Sequence, residues 1–132
     1  MANNRQYIFT LGELLERMSI LQLREMLLTD DRDKHATELL KISADIDSIL
    51  TEKRFTPNAL FLRLAILTGE LNTLIWIYKD RLNDDYALYL KLSHQINGLR
   101  NQIKNIINQE AGEPGPKVTN LSTDGLDFHI SI

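Results

Sequence analysis

Apolar residues recur at steps of three and four along most of the chain, the spacing that lines one face of an α-helix. Leu11, Leu14, Leu15, Met18, Leu21 and Leu28 make the first such set. Thr10 and Glu13 before it have the spacing of a capping box, in which hydroxyl and carboxylate satisfy backbone donors at a helix start. A first helix is therefore predicted from Thr10 to near Leu28, where Asp30, Asp31 and Asp33 crowd a turn. Leu39, Ile42, Ile46, Ile49 and Leu50 predict a second helix over about 33–53. In "FTPN", Thr56 is a candidate cap and Pro57 a candidate first helical residue, where the missing N–H costs nothing. The third helix then runs through Leu82 and closes at "LNDD", with Gly69 the easiest place for a bend. Leu92, Ile96, Leu99, Ile103 and Ile106 form the seam of a fourth helix packed along a neighbour.

Part of this pattern is written twice. "LLTDDRDKHATELLKISADI", from Leu27, is echoed by "RLNDDYALYLKLSHQI", from Arg81. Ser19 aligns with Thr73 and Asp30-Asp31 with Asp84-Asp85, while Lys41 and Ser43 align with Lys91 and Ser93 at a slightly shorter offset. One helical hairpin cannot bury its apolar face alone, whereas two can cover each other. The fold class expected is all-α: a four-helix bundle of two repeated helical hairpins, occupying residues 1–109.

Residues 110–132 differ in kind. "AGEPGPKVTN" contains two Gly and two Pro, cannot prolong a helix and reads as a linker. Beyond it Leu126, Phe128, Ile130 and Ile132 alternate with Asp127, His129 and Ser131, the period of a short β-strand with one buried face. A lone strand leaves backbone groups unpaired, so this tail is a candidate partner-binding element. Its partner could be "KVTNL", "QYIFTL" or another subunit.

At 132 residues the chain is the size of one domain with one core. With no cysteine it has no disulfide, which fits a reducing compartment. The apolar cluster Ala59–Leu67 is interrupted by Arg63 and is shorter than the roughly 20 residues that cross a bilayer. The N-terminus lacks the apolar core of a secretory signal. These features lead to the expectation of a soluble, cytoplasmic protein without a membrane partner. Residues 1–108 balance fourteen basic against fourteen acidic side chains, and the tail alone carries the net charge of −3. No cationic cluster of the kind that displaces counterions from nucleic acid is present, so no direct nucleic-acid contact is expected.

Candidate chemistry is sparse. Glu13 and Glu16 form an ExxE pair, and Asp30 and Asp33 a DxxD pair; four carboxylates could hold Mg²⁺. The arrangement loosely resembles the metal motif of the all-alpha nucleotide pyrophosphohydrolases, which implies Mg²⁺-dependent cleavage of a phosphate chain. Asp30 and Asp33 also suit a turn and a cap, and charged helix faces are usually just exposed, so no cofactor is the first expectation. His35, His94 and His129 are scattered, without metal-ligand spacing. No serine nucleophile with a base and no glycine-rich phosphate loop occurs. Asn72, Asn97, Arg100 and Asn101, with Glu70, could form a buried polar network. Trp76, between Ile75 and Ile77, is expected to anchor the centre of the bundle and to find a partner for its indole N–H there; the alternative is that it lines a polar pocket between the repeats with Asn72, Asn97, Arg100 and Asn101.

At "ELLERMSI", "LNTLIWIYKDRL" and "INGLRNQI" the chain resembles an uncharacterised family of small helical proteins of bacteria and their phages. Arg17, Ile20, Asn72, Trp76, Asp80, Asn97, Arg100 and Asn101 carry the resemblance, and Gln22 and Arg24 depart from it. That family brings no activity with it. A bacterial or phage structural component, in the virion if a phage one, would fit an assembly role. The functional expectation is a non-enzymatic interaction or assembly protein that binds a protein partner or itself through the tail. The alternative is a Mg²⁺-dependent pyrophosphohydrolase using Glu13, Glu16, Asp30 and Asp33.

Overall fold

The structure, a computed structural model, describes residues 9–113. It contains four helices and, among the described residues, no strand: α1 (Leu11–Leu27), α2 (Arg32–Glu52), α3 (Ala59–Arg81) and α4 (Tyr86–Ala111). The all-α expectation is met. The strand-like reading of Leu126–Ile132 and its proposed partner "KVTNL" lie outside the described residues, as does the first half of "QYIFTL". Helix α4 ends two residues beyond the expected boundary at 109, at Ala111.

Local chemistry explains the boundaries. Thr10 and Glu13 form the full capping box at the start of α1. The cap of α3 is Asn58, not Thr56: its Oδ1 accepts from the Phe61 amide at 2.9 Å, and Ala59 rather than Pro57 is the first helical residue. Asparagine is a strong cap, and proline just before it still marks the boundary. Helix α4 ends in a Schellman turn. Gly112 takes φ 69, its amide donates to the Gln109 carbonyl, and the Glu113 amide donates to that of Asn108.

Both hairpin turns have four residues, Leu28–Asp31 and Leu82–Asp85, so Leu27 and Arg81, like Arg32 and Tyr86, stand fifty-four positions apart. The two turns are not identical in detail. Asp31 is left-handed, with φ 59 and no side-chain cap bond, whereas Asp85 has φ −133 and its side chain accepts from the Leu88 amide.

Helix α1 packs closely on each of the other three helices, and α3 packs on α4. Contacts run from Leu11 with Glu113, through Gly12 with Asn108, to Glu16 with Lys104 and Arg100, so α1 and α4 are antiparallel. The short turn makes α3 antiparallel to α4 as well, and α1 and α3 therefore point the same way. The core is contributed by all four helices, with Leu14, Ile49, Leu64 and Ile103 almost fully enclosed. On α4 the buried seam is Ile96, Leu99, Ile103 and Ile107, with Ile106 only partly buried beside it. A straight helix has 3.6 residues per turn and drifts from a strict heptad, which moves the last seam position on by one.

The corner where α1 begins and α4 ends is fully bonded. The Leu11 amide donates to Glu113 Oε1 at 3.0 Å and the Gly12 amide to Asn108 Oδ1 at 2.8 Å. The Glu13 amide donates to Thr10 Oγ1, which also accepts from Asn108 Nδ2. The first three amides of α1 have no intrahelical acceptor, and here each has a side-chain oxygen. Two of those oxygens, from Asn108 and Glu113, are carried by the C-terminal end of α4.

Candidate functional site

A polar network crosses the interface of α1, α3 and α4. Arg100 of α4 donates through Nη1 to Asn72 Oδ1 at 2.7 Å and through Nη2 to Asn97 Oδ1 at 2.9 Å. Nη1 also lies 3.2 Å from Glu16 Oε1, and Lys104 Nζ lies 2.9 Å from Glu16 Oε2. Asn72 Nδ2 in turn donates to Ser19 Oγ at 3.1 Å. Two cations and one carboxylate, largely screened from water, thus tie three helices together. Arg100 Nε is buried and has no hydrogen-bond partner among the described residues.

The expected set Asn72, Asn97 and Arg100 is brought together. Asn101 is buried on α4 but belongs to none of these bonds. Glu70, expected in the network, is exposed, and the carboxylate that meets Arg100 is Glu16. Glu16, Ser19 and Lys104 were absent from the set read in the sequence. A charged residue on the inner side of an amphipathic helix carries no mark of its own until the facing helix is known.

Ser19 also opens onto the second feature, an open groove of about 730 Å³ between α1 and α3. Ser19, Gln22, Leu23 and Met26 line it from α1, and Ala65, Ile66, Gly69, Glu70, Thr73 and Leu74 from α3. Ile66 is 62% exposed, Met26 73% and the neighbouring Leu62 on α3 55%. Helix α3 is therefore apolar on two sides: Phe61, Leu64 and Leu71 enter the core, while Leu62 and Ile66 face out. Gly69 does not break the helix. It thins the groove wall, where an added Cβ would stand 3.7 Å from Ser19 Oγ.

Trp76 is not at the centre. It is partly exposed and is not one of the side chains packed on the core, whereas Ile75 and Tyr78 are. One residue turns a helix by about 100°, so a position next to an inward Ile75 faces sideways.

The four carboxylates considered for Mg²⁺ are not gathered. Glu13 is engaged by the capping box and Glu16 by Arg100 and Lys104. Asp30 lies in the turn before α2 and Asp33 in its exposed first turn. No group of three or more His, Asp or Glu able to hold a metal ion occurs among the described residues. His35 is partly buried on α2 and His94 is exposed on α4, while His129 lies outside the described residues. Arg17 is exposed on α1, with its guanidinium carbon 4.0 Å from the centre of the Phe9 ring.

The apolar stretch of α3 extends well beyond Ala59–Leu67. All 23 residues are helical, and by length and composition this helix is long and apolar enough to cross a membrane, with 28% of its most apolar window buried. Its polar Asn72 is bonded inward to Ser19 and Arg100. Compared with protein families, curated proteins and solved structures, the chain matches none.

Proposed function

We propose that this chain is a non-enzymatic helical assembly protein, in which the apolar α1–α3 face is the surface that associates. The carrying observation is the run of exposed side chains at Met26, Leu62 and Ile66 around an open groove, beside a core that is already closed. An exposed apolar patch with a polar rim, here Gln22, Glu70 and Thr73, marks an interaction surface more often than an accident of composition. The polar network behind it fixes the spacing of α1 and α3, which keeps the groove open.

The proposal has two further parts. The equal hairpin turns and the shared fifty-four-residue offset support descent from a duplicated hairpin. The alternating residues Leu126, Phe128, Ile130 and Ile132 are the chain's second associating element, serving self-association in the cytoplasm or in a bacterial or phage structural assembly. Light scattering of the full chain over a range of concentrations tests the reading. Concentration-dependent association that Ile66→Asp abolishes is the expected result, and a wild-type chain whose mass and association match the variant's would overturn it.

A further inference from the structure

We infer that the outward side of α3 takes a second copy of this chain, with the two α3 helices packed antiparallel about a twofold axis that passes between Ile66 and Leu67. This rests on the proposed role of the α1–α3 face and names both its partner and the register of the pair.

The first observation is a second seam on α3. Ala59, Leu62, Ile66, Gly69 and Thr73 follow one another at alternating steps of three and four, the spacing that turns one line of positions toward a neighbouring helix. None of the five belongs to the buried core, which α3 enters through Phe61, Leu64 and Leu71. Thr73 is apolar toward a neighbour as well, because its hydroxyl is already used: it donates to the Gly69 carbonyl at 2.8 Å.

The second observation is charge. Arg63 and Glu70 are both exposed and stand seven residues apart, which places them within about 20° of each other around the helix. They therefore flank the seam on one side, with Ile66 between them. A parallel pair would set Arg63 against Arg63 and Glu70 against Glu70. A twofold axis between Ile66 and Leu67 instead brings Arg63 of each copy level with Glu70 of the other, so the same ion pair forms twice. Charges beside a helical seam select orientation in this way.

The third observation is fit along the axis. The two Ile66 side chains meet at its centre, and the stretch that overlaps, residues 59–74, is about 22 Å long at about 1.5 Å per residue. Leu62 of one copy comes level with the Gly69–Thr73 turn of the other, where glycine leaves a hollow for a large side chain. The start of the second α3 lies over Thr73, beside Met26, which lines the same groove.

The test reverses the charges. Both side chains are exposed, so neither substitution opens the core. Full-length Arg63→Glu, full-length Glu70→Arg and an equimolar mixture of the two are compared with the wild type by sedimentation equilibrium at low salt, where such pairs are least screened. Each variant alone should associate at least about tenfold more weakly than the wild type, because like charges then meet twice. The mixture should regain wild-type association as a mixed pair, in which opposite charges meet twice. Variants that associate as the wild type does, or a mixture no stronger than its components, would overturn the pairing. A mixture stronger than the wild type would show a parallel pair and overturn it too. If the pairing fails while Ile66→Asp still abolishes association, the face associates in another arrangement. A wild-type chain that stays monomeric at every concentration would overturn both the pairing and the reading it rests on, and the face would belong to a different partner.

Discussion

Gly12 lies so close to Lys104 that a Cβ built on it would stand 2.9 Å from the Lys104 carbonyl oxygen and 3.0 Å from its Cα. Both are backbone atoms of α4, which cannot rotate away. Gly12→Ala must therefore push α1 and α4 apart where the Gly12 amide and Asn108 are bonded. A loss of about 1–3 kcal/mol is expected, the usual cost of overpacking. Thermal unfolding of the variant checks it.

Gly69→Ala should act in the opposite direction. The new methyl would meet Ser19 Oγ at 3.7 Å, an ordinary contact, in the interior of α3. Alanine favours helix over glycine by roughly 0.5–1 kcal/mol, so the variant should be more stable by about that amount. Denaturant unfolding of both glycine variants side by side tests whether α1 is set against α4 and α3 as described.

Arg100 should matter more than Lys104. Arg100 bonds Asn72 and Asn97 and pairs with Glu16, while Lys104 pairs with Glu16 alone. Arg100→Met strands Asn72 and Asn97 in a largely buried site, for an expected cost of about 2–4 kcal/mol. Lys104→Met should cost less, because Glu16 keeps Arg100 as its partner and no other described bond is broken. Urea titration of the two variants separates them, and equal losses would show that the network is not centred on Arg100.

Trp76→Ala should cost less than Leu14→Ala. Leu14 is fully enclosed, and its truncation is expected to cost about 2–5 kcal/mol. Trp76 is partly exposed and off the core, so its loss should fall below that range, and its fluorescence should be quenched by added acrylamide. A strongly protected tryptophan and a costly substitution would return it to the centre of the fold.

The sequence carried the helices better than their neighbours. The predicted spans, Thr10 to near Leu28 and about 33–53, delimited α1 and α2 to within a residue or two, because caps and apolar steps are local signals. The polar set on α4 was legible for a similar reason: Asn97 and Arg100 lie one turn apart. Glu16 and Lys104 were not legible, because a salt bridge between α1 and α4 depends on the register of two distant helices. Trp76 was misplaced by treating the run Ile75-Trp76-Ile77 as wholly inward, when successive residues face different ways. The second apolar side of α3 was present as Leu62 and Ile66, four apart, but its exposure became visible only once Phe61 and Leu64 were seen to fill the core.

The central claim is that the α1–α3 face is covered in solution, and Met26 reports on it directly. It lines the groove and is 73% exposed in the helical body itself. An uncovered thioether at that exposure oxidises readily to the sulfoxide. The measurement is the rate of Met26 oxidation by dilute peroxide in the full chain and in Ile66→Asp, read by mass spectrometry. Met26 should be protected several-fold in the wild-type chain and lose that protection in the variant. Rapid oxidation at the same rate in both would contradict the claim that this face is where the protein associates.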